Sequence, residues 1–475
     1  MRFAGIDQGT TSTRILTVDA VGNVNVAHSV QHAQTYPRPG WVEQDPEELL
    51  RNICACLAAA GPLDAVGIDN QGESCLAWDS ETGEAFMPVI SWQDSRTEAD
   101  IARLKMEGAE ELTLARAGLP LDTYFPAAKL GWVLRNSSSA RSAFSRGTLR
   151  LGTTDAFFHD RLGRRFVTDV STASRTSLMS LDSLAWDPDL CALFGVPIEA
   201  LPDIVPTTGD FGAFDLASGS VPVVASIVDQ QAALYGLGCH QPGQAKMTFG
   251  TGAFALMVTG GEILRNPTSG LFPTVAWRKA GEAPVFAVEG GVYSASSAIN
   301  WARSLGLFAD LSEISSFEGP HAIESGLAFV PALVGLGCPY RSSRARGVWV
   351  GLSQEHGARQ LVRSILEGVA FRSQQVIGAF ARQLDPEGPI VIDGGMSRNP
   401  YFVQFLCNLL GREVHPAHNP EMTALGTARL VHDHIGAGIF PKPRFATYRP
   451  EQDLRHMTAR FSKAVELSLG WAEAN

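Results

Sequence analysis

The sequence contains no apolar run of about 18 residues, the length a membrane-spanning helix needs, so nothing in it predicts a membrane span. It also lacks a basic surplus: 38 Lys and Arg stand against 49 Asp and Glu, for a net charge of −11. General nucleic-acid binding requires a basic surface, so that class of partner is not expected. An acidic chain can still bind a polyanion such as ATP through turn amides and Mg²⁺. Cysteine is scarce. The seven (54, 56, 75, 191, 239, 338 and 407) are scattered and odd in number, and the one close pair, Cys54 and Cys56, has no His beside it. A disulfide framework and a zinc site both lack support, and the expectation is reduced, mostly buried thiols in a cytoplasmic protein. Met1-Arg2-Phe3 runs straight into a strand-like segment, which predicts no signal peptide. What is present is a globular composition, 45% hydrophobic and 18% charged, over 475 residues. That length exceeds one core and implies two large domains.

The stretch that organises the chain is Phe3 to Val18. Apolar residues run up to Asp7, Gly9 permits a sharp turn, Thr10, Thr11, Ser12 and Thr13 supply hydroxyls, and a second β-branched run follows Arg14. A strand that ends in a carboxylate and turns through Gly and hydroxyls suits a phosphorylated ligand. The turn amides meet phosphate oxygens, and the acid holds Mg²⁺ through water. The same residues also make an ordinary hairpin turn.

Further along, Val24–Ala27 reads as a third strand, and Tyr36 to Gln44 as a loop. Asp45-Pro46-Glu47-Glu48 opens a helix, with Asp45 as N-cap, Pro46 in the first position and Glu48 placed for a capping box. Leu49, Ile53 and Leu57 give that helix one apolar face. Ala65–Ile68 is a strand ending in the polar loop Asp69-Asn70-Gln71-Gly72-Glu73-Ser74. Val89 to Arg96 leads into a helix through Leu104, and Tyr124 to Leu134 into another. Ser137-Ser138-Ser139 reads as a loop, and Pro197 to Ser220, rich in Pro and Gly, as irregular surface. Val221–Val228 is a strand that ends at Asp229-Gln230-Gln231 and a small-residue helix, Ala232 to Gly238. Strands alternating with capped helices, with polar groups at strand ends, make an α/β protein.

The second half begins again. Lys246 to Val258 repeats the opening design as strand, Gly250-Thr251-Gly252 turn, strand. Such a repeat implies two related domains facing a cleft, hinged near Gly236 to Gly243. The expected fold is two duplicated actin-like ATPase (ribonuclease H-like) domains, 1–236 and 237–475, with an interdomain cleft. Val391 to Pro400 is strand, Gly394-Gly395 turn and helix start, where a flat ring can lie against the backbone.

With these motifs in order, the sequence resembles the FGGY carbohydrate kinases, the glycerol kinases among them most closely. The resemblance covers nearly the whole chain. It is carried by Asp7 to Arg14, Tyr36 to Pro46, Tyr124 to Asn136 with Pro126, Lys129 and Trp132, and Ser171 to Thr176. Asp229-Gln230-Gln231, Gly250-Thr251-Gly252, Gly347 to Leu352, Ser364 to Glu367 and Gly394-Gly395 continue it. It implies ATP-dependent phosphorylation of a primary hydroxyl on a small polyol or sugar. Asp229 takes the base role, consistent with a carboxylate at the boundary between halves accepting an alcohol's proton. The alternative for Asp229 is the N-cap of the helix after it. The resemblance further assigns Asp7 to Mg²⁺ and phosphates, with Thr10, Thr11, Ser12 and Arg14 around it. Gly250, Thr251 and Gly252 go to the β/γ-phosphates, and Gly395 and Asn399 to adenosine. Ser296 stands where glycerol kinases have a nucleotide-contacting Gly. Glu73, Tyr124, Asp229 and Gln230 match glycerol contacts. Trp92 walls the substrate's carbon chain or packs in the core. Asp94 accepts a substrate hydroxyl or caps the next helix. The partners implied are a small polyol or sugar, no nucleic acid and no membrane, with a homodimer or homotetramer left open.

The acceptor end departs from the family as well. Glycerol kinases usually read Asn-Gln-Arg-Glu where this chain reads Asn70-Gln71-Gly72-Glu73. Losing a charged donor against a small hydroxylated ligand costs about 2 kcal/mol, at least about tenfold in glycerol affinity. Either another group fills the gap and glycerol remains the substrate, or a void accepts a longer polyol or a pentulose such as xylulose or ribulose. The void version predicts that Arg at 72 improves glycerol use. An actin-fold ATPase without a small-molecule acceptor is the competing class, set against by Glu73, Trp92 and Tyr124. A non-catalytic polyol binder is set against by Asp7, Asp229 and Thr251. The segment Gly209–Gly219 carries no Arg or Lys, so regulation by a phosphorylated sugar through it is not expected.

Overall fold

The structure, a computed structural model, describes residues 1–216, 219–436 and 439–473. The first sheet contains β1 (Phe3–Gln8), β2 (Ser12–Val18), β3 (Val24–Gln31), β4 (Ala65–Asn70), β5 (Ala213–Leu216) and β6 (Gly219–Val228). Their spatial order is β3-β2-β1-β4-β6-β5. β1 pairs antiparallel with β2 and parallel with β4, and β4 pairs parallel with β6. The second sheet contains β7 (Ala245–Phe249), β8 (Ala253–Gly260), β9 (Phe272–Trp277), β10 (Val285–Val292), β11 (Ile390–Gly394) and β12 (Val414–Pro416). Their order is β9-β10-β8-β7-β11-β12. Here too a hairpin, β7 and β8, has an antiparallel strand on one side and parallel strands on the other. The duplication expected from the repeated hairpin is therefore present as two sheets of like topology.

The parallel register positions the chemistry. Asp7 on β1 lies opposite Asp69 on β4, and Asn70 lies opposite Val228, the last residue of β6. Three acids, Asp7, Asp69 and Asp229, thus gather at the carboxyl ends of three neighbouring strands, where ligands of open α/β sheets bind. Asp229 opens helix α3 (Asp229–Gly236), after α1 (Pro46–Ala60) and α2 (Pro126–Asn136). The remaining helices that matter are α4 (Ser296–Ser304), α5 (Ala358–Ala381), α6 (Pro400–Leu410) and α7 (Met422–Ile435).

α7 comes from the second half of the chain but packs on the first sheet. A Cβ on Gly5 or Gly236 would run into the carbonyls of Ala424 or Met422, and one on Gly426 into that of Ala232. Thr427 Oγ1 donates to Asp69 Oδ2 at 2.6 Å. A split at residue 236 follows the chain, whereas the packing returns α7 to the first unit.

Local differences from the sequence reading have local causes. Asp45 caps α1 by accepting from the Glu47 amide at 2.9 Å, and no return bond from Glu48 forms. Ser137 is an N-cap, not a loop residue: its hydroxyl accepts from the Ala140 amide at 3.1 Å, and Ser138–Arg146 is helical. Pro197 to Ser220 is more regular than its composition suggests. It holds Asp203–Val205, paired parallel with Val167–Asp169, and β5, paired with β6; Ala217 and Ser218 lie outside the described residues. The helix after β6 starts at Asp229. Cys56, Cys75, Cys191, Cys239, Cys338 and Cys407 are buried free thiols, and Cys54 is half-buried. Among the described residues no helix is long and apolar enough to cross a membrane.

Candidate active site

A pocket of about 170 Å³ opens between the two sheets. Thr10, Gln71, Glu73, Trp92 and Tyr124 line it from the first unit, Asp229 and Gln230 from the start of α3, and Thr248, Gly250–Gly252 and Phe254 from the second hairpin. Asp229 is the first residue of α3, with Val228 in the cap position, so its carboxylate is not the helix cap; Oδ1 accepts from the Gln230 amide at 2.6 Å. Burial pushes the Asp229 carboxyl up to about 7, helped by the negative charges of Glu73 and Asp7 and opposed by Lys246. The buried Lys246 ammonium donates to Gln230 Oε1 at 2.7 Å and Thr248 Oγ1 at 2.8 Å. Burial lifts the Tyr124 phenol well above its ordinary value, with Glu73 next in effect, which keeps it a neutral donor at physiological pH.

Trp92 is a pocket wall rather than a core residue. Its indole donates to Thr10 Oγ1 at 3.0 Å, and its ring meets Tyr124 edge-on at 5.7 Å. Lys129 on α2 holds this wall from behind. Its fully buried ammonium donates to the carbonyls of Ser91 at 2.9 Å, Tyr124 at 3.1 Å and Trp92 at 3.3 Å, spending all three of its donors on the backbone. Lys129→Met is expected to cost about 2–4 kcal/mol in a urea titration, because three buried carbonyls lose their donor, and to raise the KM for the acceptor.

Four expected contacts lie elsewhere. Asp94 does not line the pocket and does not cap the following helix, whose cap is Thr97. Its carboxylate accepts from the Val42 amide at 2.6 Å and from Arg96 Nε and Nη2 at 2.9 and 2.8 Å, leaving no oxygen for a hydroxyl. Arg14 is ion-paired with Glu421, just before α7, and lies outside the pocket lining. Thr11 and Ser12 shape the turn through their carbonyls, which accept from His32 at 3.1 Å and Gly9 at 3.0 Å; of that run Thr10 reaches the pocket.

Gly72 leaves no void at its own position. A Cβ there would run into Val228 Cγ2 and lie 3.5 Å from Arg175 Cγ. Gly72→Arg alone is therefore expected to lower soluble folded yield rather than improve glycerol use. Combining it with Val228→Ala, which removes the blocking methyl, should restore folding, as read by thermal denaturation.

A second cavity of about 450 Å³ lies against α4 and the Gly394-Gly395 turn. Ser296 and Asn300 of α4, Leu311, Ile314, Leu366, Gly395, Met396 and Asn399 line it. The Gly250–Gly252 turn is tied to α4: the amides of Ala295 and Ser297 donate to the Thr251 carbonyl at 3.0 and 3.1 Å. Gly394 has φ of +88°, and a Cβ there would collide with the Phe249 carbonyl. At Gly395 the nearest atom to a Cβ is Ser296 Oγ at 3.9 Å, which leaves the backbone open to a flat ring. Asn399 caps α6 and donates to the Ile314 carbonyl at 2.8 Å, so it braces this cavity.

The chain matches the FGGY family of carbohydrate kinases, N-terminal domain, over residues 3–236 and the C-terminal domain of that family over residues 245–431. A glycerol kinase of Methylorubrum populi is 38% identical over 496 residues, covering 99% of this chain and 98% of that one. The crystal structure of Plasmodium falciparum glycerol kinase with ADP superimposes with a TM-score of 0.90 at 28% identity over 98% of each chain. A xylulose kinase from Rhodospirillum rubrum, 22% identical with a TM-score of 0.86 over both full lengths, shares the fold. The chain belongs to the FGGY family of carbohydrate kinases. It is a phosphotransferase that uses ATP and an alcohol acceptor, and it is more like the glycerol kinases than the pentulose kinases.

Sequence reasoning assigned no role to Thr248, Phe254, Arg175 or Glu289. Glu289 did carry a signal: a lone acid inside the apolar strand Val285–Val292 must find a partner, because a buried charge without one is costly.

Proposed function

We propose that this protein transfers the γ-phosphoryl group of ATP to a primary hydroxyl of a small neutral polyol or ketose, with Asp229 accepting the hydroxyl proton. The observation that carries the proposal is that one pocket holds both halves of the reaction. Glu73, Tyr124 and Gln230 offer groups for hydroxyls, and Asp229 and the Gly250-Thr251-Gly252 turn line the same pocket. Phosphoryl transfer needs positioning and charge neutralisation more than covalent chemistry, and this arrangement supplies positioning from two sheets.

Asp7 is the proposed holder of Mg²⁺. The donor set suits that ion, which is held by one or two carboxylates together with phosphates and water. Asp7 lies at a strand end, with Asp69 opposite it and Asp69 Oδ1 buried without a partner. Burial raises both carboxyls when the ion is absent. When bound, the ion neutralises charge on the transferring phosphates.

The acceptor has room beyond three carbons, though not at Gly72. An adjoining chamber of about 240 Å³ shares Trp92, Tyr124 and Phe254 with the first pocket and adds Asp122, Glu289 and Tyr293. Its acids accept from hydroxyls and repel a carboxylate, which favours neutral acceptors over sugar acids. ADP release measured over glycerol, four- and five-carbon polyols, pentuloses and a sugar acid tests this. The expected result is kcat/KM for a longer neutral acceptor at or above that for glycerol, with no turnover of the acid. Preference for glycerol by more than about tenfold would remove the longer acceptor and leave the kinase reading intact.

A further inference from the structure

We propose that Arg175 is the positioning residue of the acceptor site: it ties the acceptor carboxylate of Glu73 to Glu289 on the facing sheet. The inference rests on the polyol kinase reading above. Arg175 is 1% exposed. Its Nε donates to Glu73 Oε1 at 2.6 Å, and its Nη2 pairs with Glu289 Oε2 at 3.1 Å. Glu73 lines the acceptor pocket, and Glu289 the chamber beside it. The guanidinium therefore sits between the two cavities and bridges the two units of the fold.

Val228 Cγ2 occupies the space where a side chain at 72 would begin, and the Arg175 stem passes alongside. A guanidinium from the 171–176 turn thus reaches the Glu73 carboxylate past Gly72. The Arg175 Cζ also lies 5.6 Å from the Phe125 ring centre, which fixes the plane of the head. A planar fork can grip two carboxylates in two directions at once, whereas a lysine ammonium is a single point on a flexible stem. Nη1 is buried with no hydrogen-bond partner among the described residues. Glu73 Oε2 makes no hydrogen bond among the described residues, so one acceptor remains on the other side. That oxygen is what a hydroxylated ligand needs, and its position depends on the fork holding Glu73 still.

A group that positions Glu73 moves acceptor binding without moving nucleotide binding, because the cavity expected to hold the adenosine, lined by Ser296, Gly395 and Asn399, includes neither Glu73 nor Arg175. The experiment measures kcat and the KM for both substrates in Arg175→Lys, Arg175→Met and Glu289→Gln, using the acceptor that wild type turns over best. Arg175→Lys and Arg175→Met should raise the acceptor KM at least about tenfold while the ATP KM stays within about twofold. Glu289→Gln should shift the acceptor KM in the same direction, and the double variant Arg175→Lys with Glu289→Gln should be no worse than Arg175→Lys alone. Glu289→Gln keeps the shape of the site, so it reports even if Arg175→Met does not fold. An acceptor KM within about twofold of wild type in Arg175→Lys, or equal rises in both KM values, would overturn the proposal. Failure of the kinase reading looks different: wild type itself would then release no ADP in response to any polyol.

Discussion

Asp229→Asn is expected to lower kcat by about 10²- to 10⁴-fold, the range that general-base catalysis supplies, while ATP binding measured by calorimetry stays close to wild type. The amide keeps the size and the contact with the Gln230 amide but cannot take a proton. The cavity lined by Ser296, Gly395 and Asn399, where the adenosine is expected, does not include Asp229, so nucleotide affinity has no reason to fall. The wild-type pH profile follows from the same group. Burial first, then Glu73 and Asp7, push its carboxyl to about 7 against the pull of Lys246; Asp69 also faces it. The base form exists above that value. Activity should therefore fall as pH drops through about 7 and level off above it, and the residual activity of Asp229→Asn should not show that step. A variant near the wild-type rate, or a wild-type profile flat from pH 6 to about 8, would remove Asp229 from the proton's path.

Gly426→Val is expected to destabilise the fold by about 3 kcal/mol or more in a denaturant titration. A Cβ at 426 would run into the Ala232 carbonyl, where α7 crosses α3, and backbone cannot yield as a side-chain tip can. Gly5 and Gly236 make equally close approaches along the same seam, so there is no slack elsewhere for α7 to shift into. The loss should reach the site as well. α7 carries Thr427, whose hydroxyl bonds Asp69, and follows directly on Glu421, which pairs with Arg14. Stability equal to wild type would mean that α7 is not packed against the first sheet as described.

The sequence made the local parts of the fold legible. The Gly9 and Gly250–Gly252 hairpins, the Asp45 cap and the strand ending at Asp229 are written in adjacent residues, because turn and cap chemistry is decided within a few positions. The repeat of the opening hairpin at Lys246 to Val258 was enough to predict two like sheets. What stayed hidden depends on partners far apart in the chain. Asp94 carries the composition of a hydroxyl acceptor, but the Val42 amide, 52 residues away, takes its carboxylate. Arg175 reaches Glu73 across 102 residues, and Thr427 reaches Asp69 across 358. Gly72 suggested a void because a sequence shows a missing side chain but not the valine methyl that has moved into its place. Ser137–Ser139 misled for a different reason: serine serves a loop and a helix cap equally well, and only the following turn distinguishes them.

The central claim is that two facing sheets bring an alcohol and a nucleotide to one carboxylate. Phosphorus NMR of the protein with ATP, Mg²⁺ and a small polyol tests it most directly. The account predicts ADP and a phosphate monoester of the polyol in equal amounts, both dependent on the polyol and both lost in Asp229→Asn. ADP and inorganic phosphate formed at the same rate with or without the polyol would contradict it.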